Sequence, residues 1–397
     1  MDTNIIYCGD NIEVMRRYIP DNSIDLIYAD PPFFSNQQYE IIWGDGYELR
    51  SFEDRWKGGV QNYIAWMEPR LRECERVLKA TGSLYLHCDW HANGYLRVLL
   101  DKIFHGNFRN EIVWHYRRWP TGNQQFQRNH DTIYFYTKSD KGIHTFNPQY
   151  VEPTEETLKR WGKQKQRVTF DKKGKRKPTQ ELKEKSEGVL MPDVWNISII
   201  APVAKERLGY PTQKPEALLE RIINASSNPM DIVLDPFCGC GTTIAVAHRL
   251  GRRWIGVDVS PTACKLMAQR MRKIGLSEVK IIGLPKTVEE LRALPWVEFQ
   301  NWVFEKLHGR VNPRKVGDYG IDGWVELDIP TQVKQSEDIG RNVVDNFETA
   351  IRRIGKKKGV IVAFSFGKGA YDEAARVHNE EDLEIKLKTV AEILKET

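Results

Sequence analysis

The sequence has no long apolar run, no disulfide-type spacing of cysteines and little net charge. Without an uninterrupted stretch of apolar residues there is no candidate membrane span. Met1 to Asp10 lacks the character of a secretory signal, so the cytoplasm is the expected location. Six cysteines are scattered along the chain, and only Cys238-Gly239-Cys240 brings two close together. No second pair or histidine cluster completes a set of four ligands, which argues against structural zinc and suits a reducing compartment. The net charge of +5 is mild, so where the charge lies matters more than its sum. What remains is ordinary for a globular protein: 397 residues, 41% hydrophobic and 28% charged, enough for a sizeable core. That length suits roughly two or three domains.

One stretch organises the rest. Ile24 to Ala29 is apolar and partly β-branched, and reads as a buried strand that runs into Asp30-Pro31-Pro32-Phe33. In an open α/β sheet, chemistry gathers at the carboxyl ends of strands. Asp30 offers a carboxylate acceptor and Pro31 a carbonyl on a backbone whose φ is locked. Phe33 offers a face for a planar base. Two acceptors and a ring suit an exocyclic amine on a flat heterocycle. Accepting both of its N–H bonds frees the nitrogen lone pair for attack on a methyl group, provided the grip is stronger in the transition state. The structural alternative is a strand-ending turn that merely uses Asp and Pro.

Alternating strands and helices predict a doubly wound sheet. Ile5 to Cys8 is a strand, and Asp10 after it is either a ligand-binding acid or the N-cap of the helix Asn11 to Tyr18. Val60 to Ala80 has a helical apolar face closed by Thr81-Gly82, and Ser83 to His87 is the next strand. Farther on, the strand Asp231 to Leu234 opens into Asp235-Pro236-Phe237-Cys238-Gly239-Cys240-Gly241-Thr242-Thr243. A helix follows, then the strand Trp254 to Val257 ending in Asp258. Glycines after the first strand let backbone approach a ligand, and an acid ending the second can hold ribose hydroxyls. The loop is not G-x-G-x-x-G, so a phosphate-free adenosyl ligand fits better than NAD. Between these blocks, residues 141–190 form an insert rich in Lys163, Lys165, Arg167, Lys172, Lys173, Lys175, Arg176 and Lys177, with Trp161 and Phe170 interleaved. Such a run is either a solvated face or a grip on a phosphate backbone.

Residues 5 to about 275 resemble the β-class DNA amino-methyltransferases. The resemblance rests on D-P-P-F near the amino end, a basic insert, Thr212-Gln213-Lys214-Pro215, then D-P-F-x-G-x-G-T-T, in that circularly permuted order. It implies a Rossmann-like methyltransferase sheet, S-adenosylmethionine as cofactor and double-stranded DNA as partner. It makes Asp30, Pro31, Pro32 and Phe33 catalytic. It assigns the cofactor to Asp10, Thr212, Lys214, Asp235, Phe237, Gly239, Gly241, Thr242 and Asp258, and gives the insert to target recognition. Asp at the head of the tetrad implies adenine N6, with cytosine N4 the alternative. Carbon-5 methylation would need a Pro-Cys nucleophile, and the sequence has no such dipeptide. A duplex base would be flipped out to reach the tetrad. Oligomeric state is open, a homodimer being one alternative.

The methyltransferase pattern accounts for 1–283; a linker is expected at 284–295, and 296–397 read as a smaller α/β domain. Asp322 followed by Gln332-Val333-Lys334, and later Phe366 to Ala370, resembles Mrr-like restriction endonucleases. That likeness implies Mg²⁺ on Asp322, Lys334 steering a water, and a helix acid at Glu298 or Glu305, with Gln300 in that position the alternative. A fold kept only to bind DNA is the structural alternative.

Overall fold

The computed structural model describes residues 1–34, 38–43, 47–53, 59–118, 124–140, 142–161, 168–178, 187–210, 212–312, 320–326, 328–381 and 383–396. Strands form on the apolar runs. In chain order they are β1 (Ile5–Cys8), β2 (Ile24–Ala29), β3 (Leu78–Cys88), β4 (Phe108–His115), β5 (His130–Thr137), β6 (Val194–Asn196), β7 (Ile232–Asp235), β8 (Arg253–Asp258) and β9 (Lys280–Ile282). They make one nine-stranded sheet in the order β6-β4-β5-β3-β2-β7-β8-β1-β9. β5 is antiparallel to both of its neighbours; the remaining pairings are parallel. β1, β2 and β7 are buried at every position, as strands covered on both faces must be.

Helices α1 (Asn11–Tyr18), α2 (Val60–Val77) and α3 (Asn93–Ile103) cover one face, where Met67 and Leu71 meet Leu96, Leu100 and Ile27. Helices α4 (Glu216–Ser226), α5 (Thr242–Arg249) and α6 (Pro261–Lys273) cover the other, around Trp254, Ile222, Ile244 and Met267. This is the doubly wound α/β arrangement expected from the alternation of elements. No helix among the described residues is long and apolar enough to cross a membrane.

The sheet overrides one local expectation. Helix α2 stops at Val77, not Ala80, and β3 starts at once. Leu78 is fully buried beside Ile24, and Lys79 reaches both oxygens of Asp25 at 2.7 and 2.9 Å. The same Asp25 accepts the Ile232 N–H at 2.9 Å. One buried carboxylate therefore ties β2, β3 and β7 together, and that tertiary gain exceeds a turn's worth of helix propensity.

A second sheet follows, built from β10 (Arg310–Val311), β11 (Gly323–Val325), β12 (Ile329–Val333), β13 (Lys358–Ala363) and β14 (Glu384–Thr389) in that spatial order. Helices α7 (Trp296–Lys306), α8 (Arg341–Arg353), α9 (Lys368–Glu381) and α10 (Val390–Lys395) belong to it. The stretch 284–295, expected as a linker, contains the helix Val288–Arg292. Thr287 and Glu290 close a capping box on it, and Leu291 is fully buried in the core of the second unit.

Asp25→Ala is expected to lower the unfolding free energy by about 2–3 kcal/mol, because it leaves a buried N–H and an ammonium without their acceptor. Urea titration against the parent chain measures it.

Candidate active site

β2 and β7 lie side by side, with Leu26 opposite Val233 and Ile27 opposite Leu234. The tetrad at the end of β2 and the glycine loop at the end of β7 thus open onto one cavity of about 380 Å³. Its wall includes Asp30, Pro31, Pro32 and Phe33, together with Asp10, Thr212, Lys214, Asp235, Phe237, Gly239, Thr242 and Asp258. The structure therefore brings together every tetrad residue and nearly every residue assigned to the cofactor. Gly241 caps α5 in a left-handed conformation (φ +78°), and a Cβ there would lie 2.8 Å from Met267 Cγ. Its part is to turn the loop rather than to line it.

The oxygens of Asp30 have different neighbours. Oδ2 is ion-paired with Lys214 Nζ, which also donates to the Thr212 carbonyl at 3.2 Å. Oδ1 is buried and receives no hydrogen bond from any described residue. Behind it sits His87, fully buried, with Nδ1 3.5 Å from Asp30 Oδ1. His87 Nε2 donates to Asp131 Oδ2 (3.3 Å), and Asp131 Oδ1 accepts from the Tyr116 hydroxyl (2.7 Å). Burial works to raise the Asp131 carboxyl, but the bonds from His87 and Tyr116 hold it below its ordinary value. With the His87 proton on Nε2, Nδ1 accepts from the Tyr28 hydroxyl at 2.8 Å and has none to give Asp30. Asp30 Oδ1 stays an acceptor in want of a donor.

Phe33 packs 5.1 Å from the His87 ring and 5.0 Å from Lys214 Nζ, centroid to partner. Phe34 follows in the left-handed region (φ +63°), a sharp turn that a bulky residue adopts only under constraint.

At the other end, Asp258 accepts the Ser260 N–H (2.9 Å) and the Gly239 N–H (2.8 Å). Desolvation pushes its carboxyl up to about 6. Asp235 accepts from the Thr243 hydroxyl (2.5 Å) and the Phe237 N–H (3.0 Å), so its carboxylate braces the loop; burial raises it to about 7. Asp10 is the N-cap of α1, accepting the Ile12 N–H at 2.8 Å, and its second oxygen pairs with Arg70 at 2.6 Å. Asp10 thus caps a helix and also lines the cavity. Arg70 stacks on Trp66 (3.7 Å), which stands 6.0 Å from the Phe237 ring. Asn11 donates to the Pro236 carbonyl (2.9 Å), and its own oxygen is buried without a partner among the described residues. Trp66, Arg70, Asn11, His87 and Asp131 were missed in the sequence. Their signal was spatial: Trp66 and Arg70 are one helical turn apart on α2, but nothing local marks that turn as a cavity wall.

The basic insert is only partly in view. Lys163, Lys165 and Arg167 lie outside the described residues. Arg176 and Lys177 fall on the strand Arg176–Pro178, paired with Val168–Phe170. Lys172, Lys173 and Lys175 are exposed on the turn joining those strands, where Asp171 accepts the Lys173 and Lys175 N–H groups. None of the three lines the cavity.

In the second unit, Asp322 accepts the Val333 N–H at 2.8 Å, completing a ladder position on β12. Gln332 donates to the Gly320 carbonyl (2.9 Å), while its oxygen is buried without a partner among the described residues; Lys334 is half-buried. Neither expected helix acid joins them. Glu298 accepts from Ser260 and Thr262 on the side of the nine-stranded sheet, and Glu305 pairs with Lys265. Among the described residues, the acids within ligand reach of one another are Asp345, Glu348 and Glu373, a different place from Asp322. Glu348 and Glu373 there are already bound by Arg376.

The family model described as DNA methylase (N6_N4_Mtase) matches residues 24–270. The type II methyltransferase M.HinfI of Haemophilus influenzae is 32% identical over 286 residues, 68% of this chain and 69% of that protein. The DNA adenine methyltransferase YhdJ of Escherichia coli (strain K12) is 31% identical over 273 residues, 68% of this chain and 83% of that protein. The chain belongs to the N6/N4 DNA methylase family.

The Asp235 carboxyl holds its proton to about 7 in the folded chain, against 3.8 ordinarily. The folded state binds more protons across that window, so this contribution to stability is largest below about pH 4 and fades as pH rises. Asp235→Asn is expected to gain on the parent by on the order of 4 kcal/mol between those limits. Denaturation curves across the pH range measure the difference.

Proposed function

We propose that this DNA methylase binds S-adenosylmethionine in the cavity and methylates the exocyclic amine of a flipped DNA base, adenine N6. The observation that carries the reading is Asp30 Oδ1, a buried carboxylate oxygen with no donor from any described residue, at the lip of a nucleoside-sized cavity. Lys214 anchors the other oxygen. An N–H of the target amine supplies the missing donor, the Pro31 carbonyl accepts the second N–H, and Phe33 takes the base face. Asp30 is also placed to receive the proton that the amine loses. The cavity residues fit the cofactor. Asp258 keeps lone pairs for ribose hydroxyls, Asn11 Oδ1 awaits a donor, and Trp66 and Phe237 offer apolar faces. When bound, S-adenosylmethionine supplies an electrophilic methyl group. The E. coli relative, adenine by name, and the Asp-led tetrad favour adenine over cytosine N4. The exposed lysines at 172, 173 and 175, with the rest of the basic insert, are assigned to the DNA backbone.

A second reading, that the Mrr-like five-stranded unit also cleaves DNA, draws on Asp322 beside Gln332 with its unpartnered oxygen. Magnesium and unmethylated plasmid test it: nicked or linear product supports cleavage, and intact plasmid across metals and sequences overturns it.

Plasmid incubated with the protein and labelled S-adenosylmethionine is expected to yield N6-methyladenine on nucleoside analysis; label on cytosine or none at all contradicts adenine transfer. Asp30→Ala is expected to lower turnover by at least about a thousandfold while cofactor affinity by calorimetry stays within about threefold. Equal loss of both would contradict the role given to Asp30.

A further inference from the structure

The contact between the two units lies at the cofactor end of the cavity. Asp258 sits on the cavity wall, and its Oδ1 is held by the Ser260 N–H at 2.9 Å. Ser260 is the N-cap of α6, its hydroxyl oxygen accepting the Ala263 N–H at 3.0 Å. The same hydroxyl donates to Glu298 Oε1 at 2.5 Å, and Glu298 belongs to α7 of the second unit. Glu298 Oε2 accepts from the Thr262 hydroxyl at 2.8 Å. Asn301, one turn farther along α7, reaches the Thr262 hydroxyl at 3.5 Å, and Glu305 pairs with Lys265.

Glu298 is 4% exposed. A buried carboxylate is costly unless well bonded, and here its bonds fall on the first turn of the helix that follows Asp258. An acid at that end also favours the helix dipole. The chain of hydrogen bonds runs from the second unit through Glu298 and Ser260 to Asp258 without a gap.

We infer that Glu298 is a positioning residue for the cofactor: the five-stranded unit clamps Ser260 through it, and so fixes Asp258 against the cavity. The inference rests on the reading that this cavity holds S-adenosylmethionine. The second unit is then a working part of the methyltransferase site, whatever else it binds. The helix acid of the nuclease resemblance serves here as an interdomain cap.

Calorimetry and steady-state kinetics on the full chain test it, with S-adenosylmethionine itself as probe. Glu298→Ala is expected to raise the Kd and KM for S-adenosylmethionine about tenfold. Saturated kcat and the KM for DNA should stay within about twofold. Glu298→Gln, whose amide oxygen still accepts from Ser260, should recover most of the affinity. Ser260→Ala combined with Glu298→Ala should be no worse than the weaker single variant, as expected of one shared link. Asp328→Ala, at an exposed ion pair in the same unit, should bind as the parent does. A folded Glu298→Ala chain with parental affinity overturns the inference, as does loss of kcat without loss of affinity. If Glu298→Ala melts below the assay temperature, Ser260→Ala carries the test, and parental affinity there overturns it equally. A parent chain that binds no S-adenosylmethionine overturns the cavity reading first and this inference with it.

Discussion

The ion pair between Asp30 and Lys214 is the constraint on which the rest of the site depends. It joins the end of β2 to the segment that leads into α4, on the far side of the basic insert in sequence. It also makes the Asp30 oxygens unequal, one neutralised and one waiting. A carboxylate with every lone pair engaged would have nothing to offer an amine. One with neither satisfied could not be kept buried against its desolvation cost. With its proton on Nε2 toward Asp131, His87 stands close to Asp30 without donating to it.

The sheet makes this economy achievable. Adjacent parallel strands place their carboxyl ends at one edge, so the acids at the ends of β2, β7 and β8 converge without any loop having to travel. Their fates differ by environment. Asp235 braces the glycine loop and Asp258 faces the cavity, held by two backbone N–H groups. Asp30 is held by a side chain from a distant segment. Burial raises both Asp235 and Asp258; the charges of Asp30 and Asp258 add to it at Asp235, and that of Glu298 at Asp258.

Much of this is legible in the sequence. The tetrad, the glycine loop and the acid ending β8 are local motifs whose spacing states their secondary structure, and the cavity gathers them. The doubly wound sheet followed from its apolar runs. The end of α2 differs from the sequence expectation because the register of β3 against β2, anchored by Leu78 and Lys79, is a tertiary fact. The nuclease resemblance admits Glu298 or Glu305 as its helix acid, while the bonds of Glu298 to Ser260 and Thr262 depend on how two units meet. The His87–Asp131 pair is invisible for a similar reason: β3 and β5 are antiparallel neighbours, and only their register brings the side chains together. The helix at Val288–Arg292 is a different case. Its T-x-x-E capping signature stands in the sequence, inside the stretch expected as a linker.

The most direct test of the Asp30–Lys214 constraint is the kinetics of Lys214→Met, which removes the ammonium while keeping an unbranched side chain. If the ion pair holds Asp30 ready for the amine, kcat falls by about a hundredfold, while affinity for S-adenosylmethionine, in whose cavity Lys214 also stands, falls by about tenfold at most. Parental turnover, or an affinity that falls as far as kcat, would contradict the arrangement.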